Sequence, residues 1–213
     1  MTALPDPNAL AAFTAASLVL IFTPGPDMTL FLGETLRGGR ARGLAAMLGV
    51  ATGLLLHTML AAIGLSAVLA ASAGAFLAIK VAGVAYLLWL GIDALRHGTA
   101  LTLEAGPPHR EPLHRAYLMG LGVNLLNPKI VMFFLTFLPQ FVVTTEPQAG
   151  TKLTFLGLYF IALAVPICAG LIIAADRVVA TLRRSRRVVR AFDWLFAGLM
   201  AALALRLVFS RAD

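Results

Sequence analysis

Six long apolar stretches follow one another along this chain, and they limit its fold more than any other feature. They lie at about 9–32, 44–71, 76–95, 117–138, 153–175 and 192–209. A helix needs roughly 20 apolar residues to cross the hydrocarbon core of a bilayer, so each stretch is long enough to span it with some tilt. The sequence therefore predicts an all-α integral membrane protein with six transmembrane helices.

The composition agrees with lipid as the solvent of the chain. Of its 213 residues, 60% are hydrophobic and only 13% are charged. Soluble domains carry about 45–50% apolar and about 25% charged residues. A domain of this size exposes too much surface to hide such an excess in one core. We therefore expect a single transmembrane domain over 1–213, with no soluble domain beside it.

Basic residues are concentrated in alternate loops. Most of the Lys and Arg residues fall in the first, third and fifth loops, whereas the second loop has none and the fourth has only Lys152. Lys and Arg collect in the cytoplasmic loops of membrane proteins. The pattern predicts cytoplasmic odd-numbered loops and periplasmic termini. It also explains the formal net charge of +7 without nucleic acid, which we do not expect as a partner.

Two of the predicted spans are interrupted by proline at corresponding places in the two halves. The first contains FTPGPD at 22–27, and the fourth contains NLLNPK at 124–129. Because proline removes a backbone donor and clashes with the preceding turn, we expect helices 1 and 4 to be broken. Paired interruptions of this kind mark the binding site in transporters built from inverted repeats.

Three spans in each half mean that the second half enters the membrane from the opposite side. The sequence therefore predicts two inverted three-helix repeats, at about 1–97 and 115–213, joined by a cytoplasmic linker at about 98–114.

The interrupted helices carry groups suited to a zwitterion. Freed carbonyls attract cations, and a helix that restarts offers N–H groups to anions. Ionisable residues at this depth are costly and usually functional. Asp27 is a candidate for receiving the substrate ammonium or a coupling proton, and Lys129 for binding the carboxylate or neutralising Asp27. The predicted substrate-binding and coupling residues are Pro24, Gly25, Pro26, Asp27, Asn124, Asn127, Pro128 and Lys129.

Two alternatives remain open for these residues. Asp27 and Lys129 could form a fixed ion pair that only holds the halves together, and the prolines could be simple kinks without ligand contact. Further candidates are Gly49, Gly53 and His57, which share one face of the second span. This face serves either helix packing or, at His57, proton transfer. Tyr86 in the third span is either a packed aromatic or a substrate contact.

PGPD in the first span and NxxNPK in the fourth, together with KVAGVAYLLWLGIDALR in the third, resemble the lysine exporter / homoserine–threonine exporter (LysE/RhtB) family. The resemblance covers nearly the whole chain. It implies a bacterial inner-membrane amino-acid exporter with six helices, driven by proton antiport with alternating access and assembled as a dimer. By position, Pro24, Gly25, Pro26 and Asp27 match the first family motif, and Asn124, Asn127, Pro128 and Lys129 match the second.

Two other classes of protein compete with this interpretation. A cation or metal exporter of related fold would need clustered carboxylates, thiols or imidazoles. An intramembrane enzyme would need a nucleophile and a base at depth. The spans offer only Asp27, His57 and Cys168 for the metal set. We therefore expect no enzyme activity, no cofactor and no metal site.

Overall fold

The computed structural model of this chain describes residues 6–71, 81, 84–85, 88–89, 91–96, 111–142 and 148–209. All regular secondary structure within these ranges is helical. Tyr86, most of the third predicted span and most of the predicted linker lie outside the described residues.

Eight α-helices lie in the described ranges, apart from the short helical stretch at 91–96. The fifth continues into a π-helical turn, Phe133–Phe137, and a 3₁₀ turn, Leu138–Phe141. The helices are α1 (Pro7–Phe22), α2 (Pro26–Gly38), α3 (Arg40–Ala71), α4 (Leu113–Leu125), α5 (Pro128–Met132), α6 (Ala149–Ile173), α7 (Ala175–Arg184) and α8 (Arg186–Phe209).

Two of these helices are long and apolar enough to cross a membrane, namely α3 over Arg40–Gly64 and α6 over Ala149–Ile173. Two further pairs pass the same test as bent units. α1 and α2 meet at 49°, and α4 meets the segment Pro128–Phe141 at 50°. The described residues thus contain two spans, or four if each bent pair is one span. The prediction of broken first and fourth spans is confirmed, whereas the count of six stays a prediction.

The two breaks have the same local design. Thr23 and Gly25 are extended, and Pro26 then starts α2 at the position where proline suits a helix. In the second break, the Asn127 side chain accepts a hydrogen bond of 3.1 Å from the Lys129 backbone N–H and caps α5. Asp27 and Lys129 therefore occupy equivalent places, each directly after the proline that restarts its helix.

Glycines bring α3 against α4. A Cβ atom at Gly49 would overlap the backbone carbonyl of Tyr117, and one at Gly120 would overlap that of Ala46. Only residues without a side chain allow two helices to approach so closely. Gly49 therefore has the packing role that was one of its two predicted interpretations.

A buried ion pair holds the turn between α2 and α3. Gly39 makes this turn with a φ of +81°, which favours glycine. Arg42 Nε donates to Glu34 Oε2 at 2.8 Å, and both side chains are almost fully buried. Arg42 also donates to the backbone carbonyl of Glu111, just before α4. This contact fixes the α2–α3 hairpin to the start of the fourth span.

The buried apolar side chains form two clusters, one toward each end of the long helices. The aromatic cluster joins the first half of α1, the segment after α5 and the first half of α6. Its rings lie 4.5–6.1 Å apart in pairs such as Phe133–Phe160 and Phe13–Phe133. The second cluster includes Met28, Phe31, Met47 and Ile172. The interrupted segments lie between the two clusters.

Candidate functional site

The two interrupted segments are in direct contact. Lys129 Nζ donates a hydrogen bond of 2.9 Å to the carbonyl of Leu20 and one of 2.8 Å to that of Thr23. The Leu20 carbonyl would accept from residue 24 in a continuous helix, but Pro24 has no N–H to donate. The lysine therefore satisfies a carbonyl that the break leaves without its helical partner.

Asp27 is held by the opposite break. Asn124 Nδ2 donates a hydrogen bond of 2.8 Å to Asp27 Oδ2, and Asn124 is completely buried. Asp27 Oδ1 and Asn124 Oδ1 are also buried, and neither has a hydrogen-bond partner in the protein. Two acceptors thus remain available where the halves meet.

Asp27 and Lys129 do not form a direct ion pair within the part of the chain that the structure describes. The carboxylate bonds Asn124, and the ammonium bonds the two carbonyls. The alternative of a fixed Asp27–Lys129 ion pair is therefore not what the structure shows. Each charge is instead held by the other half of the chain through a polar, uncharged group.

A small cavity of about 60 Å³ lies at this contact. Most of its wall is apolar, and few polar groups face it, as is usual for ligand sites. Its volume has room for only a few water molecules and is well below the roughly 300–1,000 Å³ of typical ligand pockets. Its polar lining comes from Thr23, Asp27, Asn127, Lys129 and Cys168.

A second cavity of about 270 Å³ lies on the other side of the first break. Phe22 and Pro24 line it together with residues of α7 and α8, among them Arg177. Thr23, Gly25 and Asp27 line the small cavity instead. Because an extended backbone points successive residues to opposite sides, residues 22–27 form a wall between the two cavities. Met28 borders both.

The predicted site residues divide into groups. Gly25, Asp27, Asn127 and Lys129 line the small cavity, and Asn124 bonds Asp27 from behind it. Pro24 faces the second cavity. Pro26 and Pro128 are exposed, and each is the first residue of its helix.

The additional candidates on α3 support the site from behind. A Cβ atom at Gly53 would lie 3.0 Å from the Cβ of Asn124, so this glycine makes room for the asparagine. His57 Nε2 lies 3.4 Å from the Asn124 carbonyl oxygen, and its ring stacks on Phe134 with centroids 5.6 Å apart. His57 is buried next to the site but does not line the small cavity.

Sequence reasoning missed the contribution of the later helices. Phe160, Ala164 and Cys168 of α6 line the small cavity, and Lys129 Nζ lies 5.5 Å from the ring centroid of Phe196 in α8. Both helices are apolar along this face, with no proline interruption at the cavity. No local signal distinguished these residues from lipid-facing ones.

No group of three or more His, Cys, Asp or Glu side chains that could hold a metal ion occurs in the described ranges.

Comparison with known proteins gives the family. Residues 18–211 match the LysE type translocator family. This chain belongs to that family. The resemblance inferred from the two proline motifs is confirmed, and so is the prediction of a multi-pass membrane transport protein rather than an enzyme. No solved structure matches the chain significantly.

Several curated relatives in bacteria are similar to this LysE-family chain over most of its length. The homoserine/homoserine lactone efflux protein of Salmonella typhimurium is 30% identical over 196 residues, which cover 91% of this chain and 94% of the relative. The threonine efflux protein of Escherichia coli K12 is 25% identical over 198 residues, with the same coverage of 91% and 94%. The uncharacterized membrane protein YrhP of Bacillus subtilis is 34% identical over 144 residues, or 63% of this chain and 68% of the relative.

Proposed function

We propose that this protein exports amino acids or close derivatives across the bacterial inner membrane by proton antiport with alternating access. The observation that carries the proposal is the meeting of the two broken helices, which brings a carboxylate and an ammonium to one small cavity. A zwitterion needs both kinds of group at once. Relatives named for homoserine and threonine efflux support the same class of solute.

Asp27 is the central residue of the proposed mechanism. It stands in the first turn of α2, where the helix dipole favours a carboxylate, and its free Oδ1 is directed to no protein donor. The substrate ammonium and a coupling proton would compete for this carboxylate. Such competition couples export to proton entry, because a site that holds one cannot hold the other.

Alternating access fits the wall between the cavities. The second cavity is bordered by α7, whose Arg177 and Arg184 belong to the loop that charge distribution assigns to the cytoplasm. In our proposal the substrate enters there and passes the segment 22–28 into the small cavity. The two inverted repeats, about 1–97 and 115–213, then move against each other, and the small cavity widens.

The substrate class is tested by efflux from cells that lack their own amino-acid exporters. Cells expressing the protein are loaded with dipeptides, and amino-acid release and resistance are measured against toxic amino-acid analogues and divalent metal ions. We expect release and resistance for a subset of amino acids, and none for the metals. Relief restricted to metals would overturn the proposal in favour of a cation exporter.

Asp27→Asn tests the mechanism. We expect efflux to fall about 100-fold or more, because the neutral amide can neither pair with an ammonium nor carry a proton. The amount of protein in the membrane should be unchanged. Asp176→Asn is the matched control, since Asp176 is exposed at the start of α7, and it should keep wild-type efflux. Wild-type rates in Asp27→Asn at every pH would remove Asp27 from the proton pathway.

A further inference from the structure

The ammonium group of Lys129 occupies a cation site that the first break creates. Its two hydrogen bonds go to the carbonyls of Leu20 and Thr23, and the face of the Phe196 ring lies 5.5 Å away. Backbone carbonyls and an aromatic face are a general receptor for alkylammonium ions. Nothing in this receptor is specific for a lysine side chain.

The same cavity also has an unused acceptor. Asp27 Oδ1 is buried without a partner, and Asp27, Thr23 and Lys129 all line the small cavity. An alkylammonium ion has three N–H donors. The two carbonyls and the Asp27 carboxylate could therefore satisfy an ammonium completely, although Lys129 bonds only the carbonyls in this structure.

We propose that Lys129 is a tethered competitor of the substrate, which holds the ammonium site of the empty transporter and is displaced from it by the ammonium group of the incoming amino acid. The displaced Lys129 then binds the substrate carboxylate. This inference rests on the proposed amino-acid export and assigns the order of contacts within that same site.

The exchange avoids two large costs of a buried polar site. The carbonyls of Leu20 and Thr23 are never left without a donor, because one ammonium replaces the other. Lys129 is not left without an anion, because the zwitterion brings its carboxylate in the same step. A long flexible lysine stem allows this movement, and the space beside Gly25 is open enough that an added Cβ would still lie 3.5 Å from Nζ.

The exchange explains why both charged ends of an amino acid would be required. An amine without a carboxylate can displace Lys129 but leaves it without an anion, so the amine binds weakly. A hydroxy acid can bind Lys129 but leaves the carbonyls without a donor. Removing the tethered ammonium should therefore improve the binding of amines, which is the opposite of what a general loss of structure would do.

The test uses Lys129→Met, which keeps the length of the side chain and removes its charge. Binding to the purified full-length protein is measured by titration calorimetry with two ligands. One is the amino acid that the wild type exports most rapidly, and the other is the amino alcohol made by reducing its carboxyl group. We expect the amino alcohol to bind Lys129→Met about tenfold or more tightly than wild type, because the competitor that occupies the site is gone. The variant should bind the amino acid no better than the amino alcohol.

Lys152→Met is the matched control, because Lys152 lies in α6 outside both cavities. It should leave both affinities unchanged. Unchanged or weaker binding of the amino alcohol to Lys129→Met would overturn the inference. Failure of the wild type to bind any amino acid would instead overturn the proposed function, so the two failures are distinguishable.

A measurement on the wild type covers the case in which Lys129→Met does not fold. The chain has only three lysines, Lys80, Lys129 and Lys152, so a sample labelled with ¹⁵N at lysine Nζ gives three side-chain signals. The Lys129 signal is assigned as the one lost in Lys129→Arg. It should shift when the exported amino acid is added and keep its position when the amino acid is replaced by its hydroxy acid only in part. No shift with the bound amino acid would contradict the exchange.

Discussion

At the scale of single residues, the most consequential contact is the hydrogen bond from Asn124 to Asp27. It joins the two halves of the chain at the cavity, and its donor is completely buried. Hydrogen bonds to charged groups contribute about 1.5–3 kcal/mol, and a buried group that loses its partner costs a similar amount. Asn124 therefore sets both the position of the carboxylate and the number of acceptors left for a ligand.

Replacing this donor makes the site sensitive to pH in a defined direction. In Asn124→Asp the new carboxylate cannot donate to Asp27 while it is charged, but its protonated form has an O–H that can. We expect efflux about tenfold or more below wild type at pH 7.5, with the deficit shrinking as the pH falls toward about 5. The measurement is the ratio of variant to wild-type efflux across this range.

Asn124→Ala is the control for that profile. Alanine has no donor at any pH, so its deficit should stay constant as the pH falls. A ratio for Asn124→Asp that follows the same flat course as Asn124→Ala would show that the donated hydrogen bond is not what matters.

At the scale of elements, each broken helix supplies what the other leaves unsatisfied. The first break frees carbonyls that accept from Lys129, and the second break places Asn124 against Asp27. In hydrocarbon such freed groups would each cost several kcal/mol without partners. The breaks are therefore stable only as a pair, which explains why neither is replaced by continuous helix.

Closing one break should separate stability from transport. Pro24→Ala restores an N–H that can donate to the Leu20 carbonyl and extend α1 by part of a turn. We expect a higher Tm in detergent, because a helical hydrogen bond is gained, and an efflux rate about tenfold lower or less, because Lys129 then competes with the backbone for this carbonyl.

Pro7→Ala is the control for Pro24→Ala, since Pro7 is the first residue of the same helix, where no helical bond is missing. It should change neither quantity appreciably. Full efflux in Pro24→Ala, with a normal amount of protein in the membrane, would argue against a role of the freed carbonyl.

At the scale of the whole molecule, the small cavity lies between two apolar clusters and beside a second cavity. The aromatic cluster packs against one side of the interrupted segments, and the second cluster packs around Met28 and Phe31 on the other. Because packed cores are bistable rather than continuously deformable, opening toward either face requires one of these clusters to part. The cavity of about 60 Å³ is thus smaller than a transporting state requires.

Cys168 is a natural reporter of that movement, because it is the single cysteine of the chain and lines the small cavity. We expect a saturating concentration of the exported amino acid to slow its reaction with a membrane-impermeant thiol reagent about tenfold, since a bound ligand covers the cavity wall. The rate is measured by mass spectrometry on inverted membrane vesicles.

Thr181→Cys in a Cys168→Ser background is the control for this protection. Thr181 lines the second cavity and is exposed, so its reaction should depend little on the substrate. Equal rates at Cys168 with and without substrate would place the binding site elsewhere.

The sequence by itself determined the membrane class, the family and both broken helices, because apolar length and the backbone limits of proline act locally. It also identified Asp27, Asn124, Asn127 and Lys129, since polar residues beside such breaks are costly in lipid. Only the tertiary structure decided what these groups bond. Lys129 binds carbonyls rather than Asp27, and α6 supplies part of the cavity wall. Those contacts join residues 97–109 positions apart, and their geometry depends on how the helices pack, which no local pattern records.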